Sequence, residues 1–249
     1  MTTYFDLIYK NVQNALKKKR KLWRKYDRPR AFRPVSYPYI QTQMNVCINK
    51  LKTKLAKYLE SQHDYFLETK SNLAIDNKYG EWLGSKFFED SKMCGAGSTP
   101  YDVLTDNDIG VDVACMCING NQSNEKSVLQ KFSDRKRFEK MFADRKDEEI
   151  VSAMTTHLVN KWGNLQCNDL YIMCFISDKV SVKLVFLKIN PYLIKLSWSD
   201  GFSPKGVSVY VGGIINPDYG WVKIYKSKDR MELKLTRKCI DKWSIQVWP

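Results

Sequence analysis

The chain has 249 residues, of which 43% are hydrophobic and 13% aromatic, so it is long enough for a sizeable core and too apolar for extensive disorder. Its 41 basic and 27 acidic residues give a formal charge of +14, which favours a polyanionic partner; an AT-rich genome that enriches lysine is the alternative explanation. We expect no membrane span and no secretory signal. The seven cysteines lack framework spacing and indicate reduced thiols in a cytoplasmic protein.

Residues 1–40 concentrate positive charge and are predicted to form a basic helix followed by an arm rich in Arg and Pro. Apolar residues recur at helical spacing over residues 4–26, and Pro29, Pro34 and Pro38 then indicate an extended path. We expect this region to contact nucleic-acid phosphates, and a nuclear-localisation-type signal or a solvated face is the alternative. The candidate contact residues are Lys17, Lys18, Lys19, Arg20, Lys21, Arg24, Arg28, Arg30 and Arg33.

Residues 41–249 are predicted to form one α/β (α+β) domain, with a central mixed β-sheet flanked by helices and a β-rich C-terminal part. A first helix is predicted over residues 41–68, and a second over residues 79–91, where it carries Glu81. The lysines of the first helix are expected mainly on solvated faces; they are Lys50, Lys52, Lys54 and Lys57.

A hairpin is predicted next, with strands over residues 102–105 and 109–117 joined by a polar turn. Side chains alternate along a strand, so Asp112 and Ala114 share one face and Val113 points to the other. Because one apolar face must be core, we expect Asp112 on the opposite side, together with Asp102. Two carboxylates on neighbouring strands can hold Mg²⁺, which takes oxygen ligands.

The rest of the chain alternates predicted helices and strands. Helices are predicted over residues 124–142 and 147–162, and strands over residues 169–176 and 180–189. Residues 180–249 are expected to be the β-rich, DNA-contacting part. Its Lys223 and Lys234 are predicted on the outer face of a hairpin, where they would contact DNA or simply be solvated. Its other predicted strands cover residues 193–198, 207–211, 220–225, 231–235 and 243–248.

The hairpin and the helix before it resemble the PD-(D/E)xK nuclease superfamily, and within it the type II restriction endonucleases. In that family, a helix with an acidic residue precedes a hairpin whose first strand begins Pro-Asp and whose second ends in Asp or Glu, one residue, then Lys. Here the matching residues are Glu81, Pro100-Tyr101-Asp102 and Asp112-Val113-Ala114. The chain departs from the pattern twice, because Tyr101 splits the Pro-Asp pair and Ala114 replaces the lysine.

The resemblance implies a restriction-endonuclease-like core over about residues 79–176 and Mg²⁺-dependent, site-specific cleavage of double-stranded DNA by a homodimer. It implies that Asp102, Asp112 and the Val113 carbonyl bind the metal. A lysine from the following helix would replace the one missing at position 114, with Lys131 the first choice. The other polar groups expected at the site are Glu81, Glu125, Lys126 and Gln130. The alternatives are a non-enzymatic nucleic-acid-binding protein and a degenerate nuclease fold that serves as an interaction module.

Overall fold

We analysed a computed structural model of the chain. The structure describes residues 32–44, 46–61, 75, 77–88, 91–94, 101–119, 122–123, 128–131, 147–163, 167–178, 180–193, 208–211, 219–225 and 230–249. The predicted N-terminal helix over residues 4–26 and most of the predicted strand over residues 193–198 lie outside these ranges.

The helices are α1 (Tyr37–Met44), α2 (Ile48–Glu60), α3 (Asn77–Phe87), α4 (Asp147–Gly163) and α5 (Arg237–Trp243), and a 3₁₀ turn covers Pro191–Leu193. The strands are β1 (Phe32–Val35), β2 (Lys92–Met93), β3 (Val103–Leu104), β4 (Ile109–Asn119), β5 (Gln122–Ser123), β6 (Val128–Lys131), β7 (Asp169–Ser177), β8 (Val182–Ile189), β9 (Ser208–Val211), β10 (Gly220–Tyr225), β11 (Arg230–Leu235) and β12 (Ile245–Trp248). Among the described helices, none is long and apolar enough to cross a membrane.

The central sheet is mixed, as predicted, with the order β1–β8–β7–β4–β3–β2. Strands β4 and β7 are parallel, and the other neighbours along this order are antiparallel. Strands β1 and β12 share one edge of β8, where β1 pairs with residues 186–189 and β12 with residues 182–184. The short β5 pairs antiparallel with the last two residues of β4. A second, antiparallel sheet has the order β6–β11–β10–β9.

The central sheet is buried on both faces, which explains why β7 is apolar at nearly every position. One face, with Met173 and Phe175 of β7, packs against apolar residues of α1, α2 and α3. The other face, with Ile172 and Cys174, packs against α4, α5 and β11. Two covered faces require two apolar faces on each central strand, and continuous apolar runs meet that requirement.

The predicted α/β class with a central mixed sheet and flanking helices is confirmed. Two local predictions are corrected, and one helix was missed. The described part of the helix predicted over residues 41–68, up to residue 61, contains two helices, α1 and α2, and between them Val46 forms a β-bridge with Phe88. Part of the helix predicted over residues 124–142 is strand β6, because pairing with β11 outweighs a local helical pattern. Helix α5 was not predicted. The Thr236 hydroxyl caps it by accepting a hydrogen bond from the Cys239 N–H at 3.2 Å.

The end of the predicted arm, from residue 32, belongs to the central sheet. Strand β1 pairs with β8 over four residues, and Phe32 is fully buried. Its ring makes an edge-to-face contact with Trp162 of α4, with 5.7 Å between centroids. Pro34 is compatible with this strand because β1 lies at the edge of the sheet, where a missing N–H costs no ladder hydrogen bond.

Two glycines let α3 approach β4 closely. Gly80 and Gly84 are one helical turn apart and face the sheet. A Cβ atom on Gly80 would lie 2.5 Å from Cys115 Sγ, and one on Gly84 would lie 2.9 Å from Cγ2 of Val113. The helix that carries Glu81 is therefore held against the strand that carries Asp112.

We predict that Gly80→Ala lowers the free energy of unfolding by about 1–3 kcal/mol, because the new methyl group overpacks against Cys115. In a Cys115→Ala background the clash is absent, and the same change should raise stability by up to about 1 kcal/mol through helix propensity. Urea unfolding of the original protein, Gly80→Ala, Cys115→Ala and the double variant measures the coupling energy between positions 80 and 115. An equal effect of Gly80→Ala in both backgrounds would contradict the close contact.

Candidate active site

The hairpin of β3 and β4 is closed by a tight turn. The Thr105 N–H donates to the Ile109 carbonyl at 3.0 Å, and the Thr105 hydroxyl accepts from the Ile109 N–H at 3.2 Å. Asp108 has a φ of 55°, in the left-handed region that Asp and Asn tolerate better than most residues. The turn fixes the register of the two strands and places Asp102 beside β4.

Backbone hydrogen bonds hold Asp102 from both sides. Its N–H donates to the Val111 carbonyl at 2.9 Å, and its carbonyl accepts from the Cys94 N–H at 2.8 Å. Its side chain then extends the ladder, because Oδ2 accepts from the Val113 N–H at 2.7 Å. In a strand, a residue presents its N–H and C=O to the same edge, so the Val113 carbonyl also points past the start of β3.

Asp102 and Asp112 form a coupled carboxyl pair. Burial, and then the charge of Asp112, raise the pKa of Asp102 to about 7, although the Val113 N–H opposes the shift. Burial also raises the pKa of Asp112, and nearby Glu81 adds to this effect. With a pKa of about 7, Asp102 is protonated in a large part of the molecules near neutral pH.

A lysine reaches this pair from helix α4. Lys161 Nζ lies 3.6 Å from Asp112 Oδ2, and the two side chains are 20% and 19% exposed. The ammonium opposes the rise in pKa of both aspartates. Helix α4 covers the face of the sheet on which Ala114 packs. Lys161 therefore supplies a positive charge on the same face of β4 as Ala114, which is uncharged.

Trp162 anchors the end of α4 that carries Lys161. Its side chain is 1% exposed and belongs to the core between α4 and the central sheet. Lys161 Nζ lies 5.0 Å from the centroid of the Trp162 ring, close enough for a cation–π interaction. The lysine is thus held between a buried aromatic residue and a carboxylate.

Glu81 of α3 is the third acidic residue close enough to influence the site. Its negative charge contributes to the raised pKa of Asp112. It also forms an ion pair with Lys78, with 2.9 Å between Nζ and Oε2. The helix that precedes the hairpin thus contributes an acidic residue to the electrostatics of the pair.

The other predicted site residues are not brought to the carboxyl pair by the described part of the fold. Lys131 and Gln130 lie in β6, where they pair with Arg230 and Met231 of the second sheet. Glu125 and Lys126 lie outside the described residues. Lys161 was not among the site residues predicted from the sequence. To predict its position, one must know that β7 lies next to β4 and that α4 forms the crossover between them.

The predicted nucleic-acid contacts divide into three groups. Arg33 is exposed on the edge strand β1, and Lys223 lies in β10. The prediction that Lys234 lies on an outer face is wrong: its side chain is 7% exposed and lies 3.6 Å from buried Glu232. The remaining candidates precede residue 32 and lie outside the described residues; they are Lys17, Lys18, Lys19, Arg20, Lys21, Arg24, Arg28 and Arg30.

The residues at the pair fit a magnesium ion better than a metal that needs many protein ligands. Within the described ranges, no group of three or more Asp, Glu, His or Cys side chains is arranged to hold a metal. Mg²⁺ needs only one or two carboxylates, because waters and substrate phosphate complete its shell. Asp102, Asp112 and the Val113 carbonyl are such a set, and a divalent cation would relieve the repulsion that raises the pKa of Asp102.

Comparisons of the chain with protein-family models, with curated proteins and with solved structures gave no match.

We predict that Asp102→Asn stabilises the fold above pH 7 and not at pH 4–5. The pKa of Asp102 is about 7 in the folded state, so the folded state still binds this proton near pH 7. In the unfolded state an aspartate has a pKa near 4 and binds the proton only in acid. Stability therefore falls as pH rises between these two values, and asparagine removes that loss while keeping an acceptor for the Val113 N–H. In EDTA at pH 8, we expect a Tm higher by roughly 2–6 °C.

The matched control is Asp106→Asn, at an exposed position in the same hairpin. Thermal unfolding at both pH values should leave this variant close to the original protein. If Asp102→Asn raised the Tm equally at pH 4–5 and at pH 8, ionisation of Asp102 would not be what destabilises the folded state.

Proposed function

We propose that the chain is a Mg²⁺-dependent endonuclease that hydrolyses phosphodiester bonds in double-stranded DNA. The observation that carries the proposal is the meeting of Asp102, Asp112 and Lys161 at the start of the β3–β4 hairpin. Two acidic oxygen donors and one ammonium are the charges needed to bind a metal and to stabilise a phosphate. The likeness to the restriction-endonuclease hairpin motif supports the same function.

In this proposal, Asp102, Asp112 and the carbonyl of Val113 hold the magnesium ion. When bound, the ion would act as a Lewis acid that polarises the scissile phosphate and lowers the pKa of a bound water. The protein's part is to keep two carboxylates in one register, through the backbone hydrogen bonds of Asp102 and the hairpin turn. Glu81 adds negative charge beside Asp112, which favours a cation there.

Lys161 takes the part of the lysine that is missing at position 114. Its ammonium donates to a phosphate oxygen and stabilises the negative charge that develops as the bond breaks. Asp112 and Trp162 position the side chain before substrate binds, so little reorganisation is required. This assignment replaces Lys131, which lies in the second sheet.

The charge of the chain supports DNA as substrate. Its formal charge of +14 and the basic segment before residue 32 favour a polyanion, and Arg33 adds one exposed positive charge on the edge strand β1. Cutting both strands of a symmetric site suits a two-fold protein, so we propose that the chain acts as a homodimer.

A non-enzymatic nucleic-acid-binding protein is the second candidate, and Ala114 is the observation that favours it. With alanine at the strand position where the nuclease motif has lysine, the motif itself is incomplete. A binding protein is indifferent to loss of the carboxyl pair, whereas a nuclease needs it. Cleavage assays therefore separate the two candidates.

We predict that the purified chain cuts a mixed-sequence plasmid into discrete fragments with Mg²⁺ and leaves it intact with EDTA. Asp112→Asn should abolish cleavage, because it removes one of two metal-binding carboxylates. Asp106→Asn, which changes charge equally in the same hairpin, should cleave normally. Tight plasmid binding without cleavage under any divalent cation would support the binding-protein candidate.

We predict that Lys161→Met lowers the cleavage rate by roughly 10²–10³-fold, the usual cost of removing one charge-stabilising donor at a reacting group. Lys131→Met should leave the rate within a few-fold of the original. Single-turnover cleavage measures the chemical step, and circular dichroism checks that both variants fold. Normal cleavage by Lys161→Met together with an inactive Lys131→Met would return the role to Lys131.

A further inference from the structure

A cleft between α2 and α3 combines positive charge with aromatic rings. It encloses about 420 Å³, and its lining residues are Lys50, Thr53, Lys54, Lys57, Tyr79 and Trp82. Three of the four lysines expected on solvated faces of this region thus line a single cleft. None of the residues proposed to carry catalysis takes part in it.

The spacing of the lysines explains why they share one surface. Lys50, Lys54 and Lys57 are separated by four and three residues, which places them along one stripe of α2 over about 10 Å of helix axis. Leu51, Leu55 and Leu59 form the buried stripe beside it. Like charges at this spacing repel one another, so the stripe favours an anion with several charges along its length.

The aromatic residues give the cleft a firm apolar wall. The rings of Tyr58 and Tyr79 stack with 3.8 Å between centroids, and the centroid of Trp82 lies 5.3 Å from that of Tyr79. The Tyr79 hydroxyl donates to the Lys54 carbonyl at 3.3 Å, which ties α3 to α2. Lys54 Nζ lies 5.0 Å from the centroid of the Trp82 ring. Tyr79 and Trp82 remain partly exposed within the cleft.

We propose that this cleft binds a short unpaired stretch of nucleic acid. The three lysines would contact successive phosphates, and an unstacked base would pack against the Tyr79–Trp82 wall. Lysines along a backbone path, with aromatic side chains on which bases stack, are the features by which proteins hold single strands without reading sequence. Within a paired duplex the bases stay stacked on one another, so no ring face is presented to such a wall along the length of the duplex.

Helix α3 connects this cleft with the carboxyl pair. Glu81, whose charge acts on Asp112, is adjacent in sequence to Trp82 of the cleft wall. An unpaired strand in the cleft would therefore lie along the helix that also borders the proposed catalytic site. The binding proposal does not depend on catalysis, because neither the lysines nor the rings belong to the metal site.

The test measures binding of fluorescent oligonucleotides in EDTA, with every variant made in the Asp112→Asn protein so that no cleavage occurs. The probes are a blunt duplex and the same duplex with a single-stranded extension. We expect the extended duplex to bind more tightly than the blunt one. Changing Lys50, Lys54 and Lys57 together to Gln should remove most of that preference, weaken binding roughly tenfold or more, and reduce the salt slope by about 2–3.

A matched variant changes three other exposed lysines, Lys52, Lys86 and Lys238, to Gln and alters net charge equally. It should keep the preference for the extension. Trp82→Leu should weaken binding of the extended probe by roughly fivefold or more, while Tyr192→Leu, at an exposed tyrosine outside the cleft, should not. Equal losses in the two lysine variants, or competition by inorganic polyphosphate together with an unaffected Trp82→Leu, would overturn the proposal. Because no divalent cation is present, these results are independent of whether the chain is a nuclease.

Discussion

The parallel pairing of β4 with β7 is the constraint on which the candidate site depends. The two strands are in register from Ile109 opposite Asp169 to Cys117 opposite Ser177, so their starting ends lie level with each other. Parallel neighbours need a crossover connection, and here the chain passes over one face of the sheet through α4. The C-terminal end of α4 leads to the start of β7. Its last turn, with Lys161, is therefore delivered to the start of β4, where Asp112 lies.

Burial on both faces of the sheet determines the electrostatics of that site. Because cores cover both sides of β4 and β7, the carboxyl groups at the start of the hairpin lose much of their hydration. Isolated charges in such surroundings are costly unless they are paired, and this cost raises the pKa values of both carboxyl groups. Lys161 offsets only part of the cost. In the proposed function, a magnesium ion would offset this cost further than a single ammonium does.

The sequence predicted the parts of the fold that are determined locally, and missed those determined by distant partners. The hairpin, the buried strands β7 and β8 and helix α4 carry clear turn, burial or helical patterns. Strand β6 and edge strand β1 form because β11 and β8 pair with them, and no local pattern reports a partner elsewhere in the chain. The same distinction holds for the site. Asp102 and Asp112 share a hairpin and were predicted, whereas Lys161 is 49 positions beyond Asp112 in the sequence and reaches it only through the crossover.

In the proposed site the lysine comes from a helix rather than from the strand, and this changes which parts of the fold must form before the lysine reaches Asp112. A lysine at position 114 would sit beside Asp112 whenever the hairpin forms, because both would lie on the same face of one strand. Lys161 arrives only when α4 has packed on the sheet and Trp162 is buried against Phe32 of β1. The last turn of α4 suits a cation independently, since the helix dipole places partial negative charge there. The positive charge of the site therefore depends on packing of the N-terminal edge strand, the crossover helix and the central sheet together, so mutations in that apolar contact should act on the site without touching a polar group.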